Sequence, residues 1–231
     1  QNLYYLYKLT RKEKFSDEIR TYTAQFLGTI FDRLGWDSQK SEKHTDALLR
    51  SFVITALGKL GDKEILDEAR KRFNKFLKNK NSLVADLQDP VFVLVAWQGN
   101  EKTYNKLLSL YRKSTLQEEK IRFLTAMCNF KQKNLLLKTL ALSLTPEVRS
   151  QNIRVPIMGV SANIYGSNIL WPWLKNHWKK LVGRFGVGNP LANRIVASIG
   201  GVIDDKQEGD IRSFFKRNPL PGTERVIEQT L

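Results

Sequence analysis

Apolar residues recur along this chain at steps of three and four, in short blocks that end at Gly, Pro, Asn or Asp. That is the period of helices with one buried face. About twelve such stretches follow one another, and none is a convincing strand. The spacing predicts a first long helix over 15–35, with Ser16 as its cap, Asp17 and Glu18 in its first turn and Gly35 as its stop. A second spans 42–60. Leu48, Phe52, Ala56 and Leu60 form its stripe, and Ala47, Val53 and Leu57 widen it. Gly61 ends it. Asp62 caps a third helix that runs to Leu77 with Ile65, Ala69, Phe73 and Phe76 facing inward. A joint of one or two residues between these helices forces an antiparallel pair.

Asp89-Pro90 is the expected opening of the next element, with Asp as cap and Pro at the first helical position. The run Val91 to Trp97 is β-branched and apolar enough for a strand. Its helical neighbours and the closing Gly99 favour a buried helix. Beyond Asn100, Tyr104, Leu107, Leu108 and Tyr111 mark one helix, and Thr115 with Glu118 reads as a capping box before Ile121, Leu124 and Cys128. Leu135 to Leu144 is another apolar helix. Thr145-Pro146-Glu147, Asn189-Pro190 and Asp204 or Asp205 read as three further helix starts. Asn218 to Gly222 is a turn before a last helix that continues to Leu231.

Paired helices with short joints, at a loose period of about 35–45 residues, predict an all-α, HEAT- or armadillo-like α-solenoid of antiparallel pairs. No linker long enough to divide the chain is present, so residues 1–231 are expected to form one α-helical domain. The start at Gln1, without an initiator Met or a signal pattern, and the helix still running at Leu231 lead to the expectation of a fragment of a longer chain.

The 231 residues are 42% hydrophobic, enough for a sizeable core. No run of about 18 apolar residues exists, so no membrane partner is expected. A formal charge of +15 leaves three readings: a solvated basic surface, a cavity that attracts acidic groups, or nucleic-acid binding. The cations are scattered over nearly every helix, and no known nucleic-acid motif organises them.

Candidate chemistry is sparse. The chain has two His and one Cys. His44 and His177 lie far apart, and neither sits at the spacing that puts two imidazoles on one helix face for zinc. No Gly-x-Ser-x-Gly elbow or phosphate loop is present, so no catalytic residue and no metal ligand are expected within the chain. Cys128 lies in an apolar run and reads as packing, which fits a reducing compartment. Trp171, Leu174, Trp178 and Leu181 fall on one helix stripe and read as core. Trp173, His177, Lys180 and Arg184 lie on another, open to solvent or a partner. Bases can stack on these Trp only if the rings are exposed.

Three ordered stretches carry a resemblance. The first runs from Leu34-Gly35-Trp36-Asp37 through His44 to Arg50, Leu57 to Gly61 and Glu68 to Phe73. The second is Leu83 to Val91, followed by Gln117 to Arg122. The third is Trp171 to Leu181, followed by Arg194-Ile195-Val196 and Phe214-Phe215. Together they resemble the C-terminal helical domain of zinc aminopeptidases of the puromycin-sensitive and tricorn-interacting-factor class.

The resemblance implies a lid shaped as a curved bowl, closing over a peptide chamber. The family's His-Glu-x-x-His zinc site and Gly-x-Met-Glu-Asn loop precede that lid and are absent here. The implied function is therefore the substrate-chamber domain of a zinc-dependent enzyme that removes N-terminal residues from peptides, inactive alone. The implied zinc is held outside these residues. The implied partners are the catalytic domain of the same enzyme and peptide substrates, and the implied location is the cytoplasm. Arg194 matches a family Arg that reaches the cleft, where it orients substrate or braces the wall. Ser161-Ala162-Asn163 lacks the Arg that the endoplasmic-reticulum branch uses to hold a peptide's C-terminal carboxylate. The alternative is a freestanding basic α-solenoid that binds nucleic acid or protein.

Overall fold

In a computed structural model, residues 2–39, 42–186, 189–199 and 205–230 are described, and every regular element among them is helical. Contacts divide the chain into two units, Gln1–Gly99 and Asn100–Leu231.

The first unit holds α1 (Asn2–Leu9), α2 (Ser16–Leu34), α3 (His44–Leu60), α4 (Lys63–Lys78) and α5 (Ala85–Trp97). Helix α3 packs on α2, α4 and α5, and α4 packs on α5. Gly61, at φ 104°, and Asp62 make the α3–α4 joint, and the Asp62 carboxylate accepts the Ile65 N–H at 3.0 Å. The two-residue joint turns the chain back on itself, and Ile65, Ala69, Phe73 and Phe76 all enter the core as their spacing predicts. Phe92 of α5 meets Phe73 and Phe76 edge-on, at 5.8 and 4.9 Å between centroids.

Of the predicted α3 stripe, Val53, Ala56, Leu57 and Leu60 are buried. Leu48 is instead 61% exposed, and Arg50, Ile54 and Gly58 turn inward as well. Arg50 is buried because the end of α2 needs a donor. Its guanidinium donates to the carbonyls of Leu34 and Gly35 and pairs with Glu42. The Leu-Gly-Trp-Asp word follows the same logic. Gly35, at φ 57°, ends α2. Arg72 of α4 then lies over the Trp36 ring and grips Asp37 with two bonds of 2.7 and 2.8 Å.

Two predicted starts in this unit are displaced. Phe15, not Ser16, precedes α2, and no side chain caps it. Helix α5 begins at Ala85, so Asp89-Pro90 lies inside it. Ala85-Asp86-Leu87-Gln88 are adequate helix formers. The only donor lost is the missing Pro90 N–H, and the buried ring packs in the core. The Val91–Trp97 run is a buried helix, as its context predicts.

The second unit holds α6 (Glu101–Lys113), α7 (Gln117–Met127), α8 (Lys133–Leu142), α9 (Arg154–Ala162), α10 (Ser167–Phe185), α11 (Leu191–Ile199), α12 (Asp205–Arg217) and α13 (Glu224–Thr230). Helices α7, α9, α11 and α13 form a row, each packed on the next. Helix α8 packs on α7 and α9, and α10 packs on α9 and α11. Alternate helices in one layer with returning helices behind them are the local arrangement of stacked helical repeats.

Asn100 caps α6, accepting from the amides of Lys102 and Thr103. Thr115 and Glu118 form no capping box, because α7 starts two residues later behind an uncapped Leu116. Thr145-Pro146-Glu147 is a turn and not a helix start: the Thr145 hydroxyl donates back to the Leu142 carbonyl at 2.8 Å. The next α-helix waits until Arg154. Asp204 lies outside the described residues, and α12 runs from Asp205. Gly222, at φ 85°, closes the predicted Asn218–Gly222 turn.

Trp171, Leu174, Trp178 and Leu181 are core, as their stripe predicts. Trp173 is buried too, at 6% exposure, and stacks on His177 at 4.7 Å. With Trp171 at 2% and Trp178 at 4%, this cluster offers no face for a base. Phe214 and Phe215 of α12 occupy its edges.

Candidate functional site

A pocket of about 360 Å³ lies where α9 and α11 begin, and its walls explain which side chains reach it. Gln151 and Asn152 come from a 3₁₀ turn, Ser150–Asn152, that leads straight into Arg154, the first residue of α9. Asn189 braces the opposite wall. Its amide donates to the Phe185 carbonyl at the end of α10 at 2.7 Å, and its oxygen accepts the Leu191 N–H at 2.9 Å. Asn189-Pro190 thus opens α11 as its sequence predicts. Ala192, Ile195, Val196 and Ile199 bury the inner face of α11. Arg194 stands on the outer side, exposed, and lines the pocket with Arg154.

The electrostatics are one-sided. Among the described residues, none that lines this pocket is acidic. Among the described residues, neither Arg154 nor Arg194 has a hydrogen-bond or ion-pair partner, although Arg20, Arg50, Arg70, Arg72, Arg112 and Arg212 each hold a carboxylate. The ends of two helices add to the positive potential. The Ser161 hydroxyl donates to the Ser198 carbonyl at 2.5 Å, so α9 and α11 lie side by side and parallel, with both amino ends at the pocket. Amino ends favour negative charge.

Arg184, assigned by its spacing to an outward stripe, points inward and holds the loop that leads to this wall. Its guanidinium donates to the carbonyls of Ser143 and Thr145 at 2.5 Å and of Val148 at 2.6 Å. Glu147 on the same loop pairs with Arg112 at 2.7 and 3.0 Å, and those bonds hold its carboxyl below the usual range. The Ser161–Asn163 stretch is structural. Asn163 is buried and donates to the carbonyls of Cys128 and Phe130, each at 2.8 Å. Cys128 is buried, and burial pushes its thiol up to about 12.

Among the described residues, no group of three His, Cys, Asp or Glu side chains is placed to hold a metal ion. His44 is exposed at the start of α3, and His177 meets the Trp173 carbonyl through Nδ1 at 2.8 Å. Zinc therefore has no fitting donor set among them. No described helix is long and apolar enough to cross a membrane. Sequence reasoning singled out Arg194 and missed Arg154. Reading Thr145-Pro146-Glu147 as a helix start put Arg154 in mid-helix, whereas it opens α9.

The row of stacked helices defines an all-α domain of the stacked-repeat kind, with a pocket at the helix ends. A family model described as the ERAP1-like C-terminal domain matches residues 1–231, and the chain belongs to that family. It is 29% identical to "Aminopeptidase M1-A" of Oryza sativa subsp. japonica, over 93% of this chain and 25% of that protein. It is 30% identical to "Aminopeptidase M1" of Arabidopsis thaliana, over 86% of this chain and 23% of that protein. It is 33% identical to human "Glutamyl aminopeptidase", over 92% of this chain and 22% of that protein. The chain thus spans about a quarter of the length of the curated relatives it matches.

Proposed function

We propose that this chain is the substrate-chamber domain of a zinc-dependent aminopeptidase. In that enzyme it closes over a catalytic domain carried by the same polypeptide. The observation that carries this reading is the family match along the whole chain, with aminopeptidases among the relatives. The zinc, its ligands and the general base lie outside these residues. Zinc activates the attacking water when bound there. The helices line the substrate chamber, and peptides are the substrates. Arg194 faces the peptide, where an exposed guanidinium without a described partner can orient an anionic group. The single, buried Cys128 suits a reducing compartment, and we place the enzyme in the cytoplasm.

The test is zinc-dependent hydrolysis of an aminoacyl-anilide. The full-length gene product hydrolyses it and loses the activity to a chelator. This chain alone, supplied with zinc, does not. Hydrolysis by the isolated chain, or a full-length protein inert with zinc present, refutes the reading.

A further inference from the structure

An array of stacked helices stays soluble only when the outer faces at its ends are polar. Helices α11, α12 and α13 meet that requirement: among their described residues, no large apolar side chain is exposed. The first helices do the opposite. Leu6 and Leu9 of α1, Phe15 just before α2, and Tyr22 and Phe26 within α2 are between 43% and 64% exposed. An apolar outer face there asks for another layer.

On α2 the pattern is ordered. Ile19, Tyr22, Phe26 and Ile30 are spaced by three, four and four, which places them on one helix face. The two isoleucines are half-buried, and the two aromatic rings stand out. The helix already has a separate buried stripe, Thr23, Leu27 and Leu34, and packs on α1 and α3. From Ile19 to Ile30 the open face runs about 16 Å, three turns. A stripe of that length at helical spacing suits a second helix laid along it.

One flank of the stripe is acidic. Glu18, Gln25 and Asp32 recur beside it at steps of seven. Glu18 and Asp32 are exposed, and among the described residues neither holds a cation, although Asp17 pairs with Arg20. Opposite charges along the flanks fix how two helices pair. The chain spans about a quarter of its relatives' length, and its family is described as a C-terminal domain. In a longer enzyme of that kind, most of the polypeptide lies on the amino side of α1.

We infer that a helix from the polypeptide preceding Gln1 stacks on the Ile19–Ile30 face of α2, and that this helix is apolar toward the stripe and basic toward Glu18 and Asp32. This rests on the reading of the chain as one part of a longer aminopeptidase, and adds the surface of that contact and the chemistry of its other side.

Hydroxyl-radical footprinting read by mass spectrometry tests this on unmodified protein. It compares Tyr22 and Phe26 in the 231-residue chain and in the full-length gene product. Both rings oxidise readily in the chain alone. In the full-length product their rates fall about tenfold or more, because a stacked face is reached only through local opening. That fall is the same at every protein concentration. Equal rates in the two proteins refute the inference, since the face is then open or kept for a separate protein. Protection that grows with concentration assigns the face to a second copy and refutes it too.

Two variants sharpen the result. Phe26→Asp leaves the melt of the 231-residue chain unchanged, because the side chain is exposed there. In the full-length product it restores Tyr22 oxidation, since an unpaired carboxylate is not tolerated in an apolar contact. Unchanged protection of Tyr22 counts against the stacked helix. Glu18→Lys combined with Asp32→Lys raises Tyr22 oxidation in the full-length product at low salt, and an unaltered rate refutes the basic flank. Zinc-dependent hydrolysis is measured separately. An inert full-length product that protects both rings overturns the enzymatic reading alone. An active one that leaves them open overturns this inference alone.

Discussion

Replacing Arg184 with Met tests whether one side chain fixes the wall of the pocket. Met keeps much of the aliphatic volume and removes the guanidinium. Three carbonyls then lose a charged donor: Ser143 and Val148, both fully buried residues, and Thr145, which is half-buried. Each hydrogen bond to a charged group is worth about 1.5–3 kcal/mol, and the three are not additive because they share one donor group. Water can rehydrate the Thr145 carbonyl more readily than the other two. The expected loss is about 2–4 kcal/mol. At about 2–4 °C per kcal/mol for a chain of this size, that is a drop of about 5–15 °C in Tm.

Urea titration followed by tryptophan fluorescence reads the effect where it arises. Trp171, Trp173 and Trp178 are buried in the same unit as Arg184. Arg184→Lys recovers part of the loss, since one ammonium cannot match the planar fork. A Met variant within about 0.5 kcal/mol of the parent chain refutes the clamp, because that is the scale of an ordinary surface substitution.

Three further outcomes follow from the packing. Cys128 should resist a disulfide reagent at neutral pH until urea unfolds the chain, because the buried thiol is held at about 12 and forms almost no thiolate. Fast labelling of the folded chain contradicts that. Gly159→Ala should destabilise by about 1–3 kcal/mol in a urea melt, since an added Cβ would lie 2.7 Å from the Cys128 Cβ and Sγ, and neither can swing aside as a long side chain can. Asp37, Glu147 and Asp210 sit below their ordinary pKa, held by Arg72, Arg112 and Lys175 respectively. Such groups stabilise the fold above their unfolded pKa and cease to as pH falls through the folded value. Stability should therefore decline below about pH 4, modestly because these carboxylates are largely exposed, and a flat profile between about pH 5 and 2 would count against the pairs.

How much was legible varies with the kind of signal. Periodic apolar residues placed most helices, and Ile65, Ala69, Phe73 and Phe76 entered the core as read, because hydrophobic burial dominates helix packing. Capping words did less well. Ser16, Thr115 and Thr145-Pro146 carry the right residue types but cap no α-helix. A cap contributes about 1 kcal/mol, which tertiary packing overrides. Inward-turned cations were invisible: Arg50 and Arg184 look like surface residues until the carbonyls they satisfy are known, and those lie 15 to 41 positions away. The pocket was half legible. Arg194 stood out by resemblance, while Arg154 needed the position of the α9 start, which no local signal gives.

We propose that this helical chain lines the peptide path of an aminopeptidase. The most direct measurement is kcat/KM of the full-length enzyme carrying Arg194→Gln, on peptides with and without a carboxylate at the tested position. The prediction is a fall of about tenfold for carboxylate-bearing peptides, with little change for neutral ones. Identical kcat/KM values for variant and parent on every peptide would contradict it.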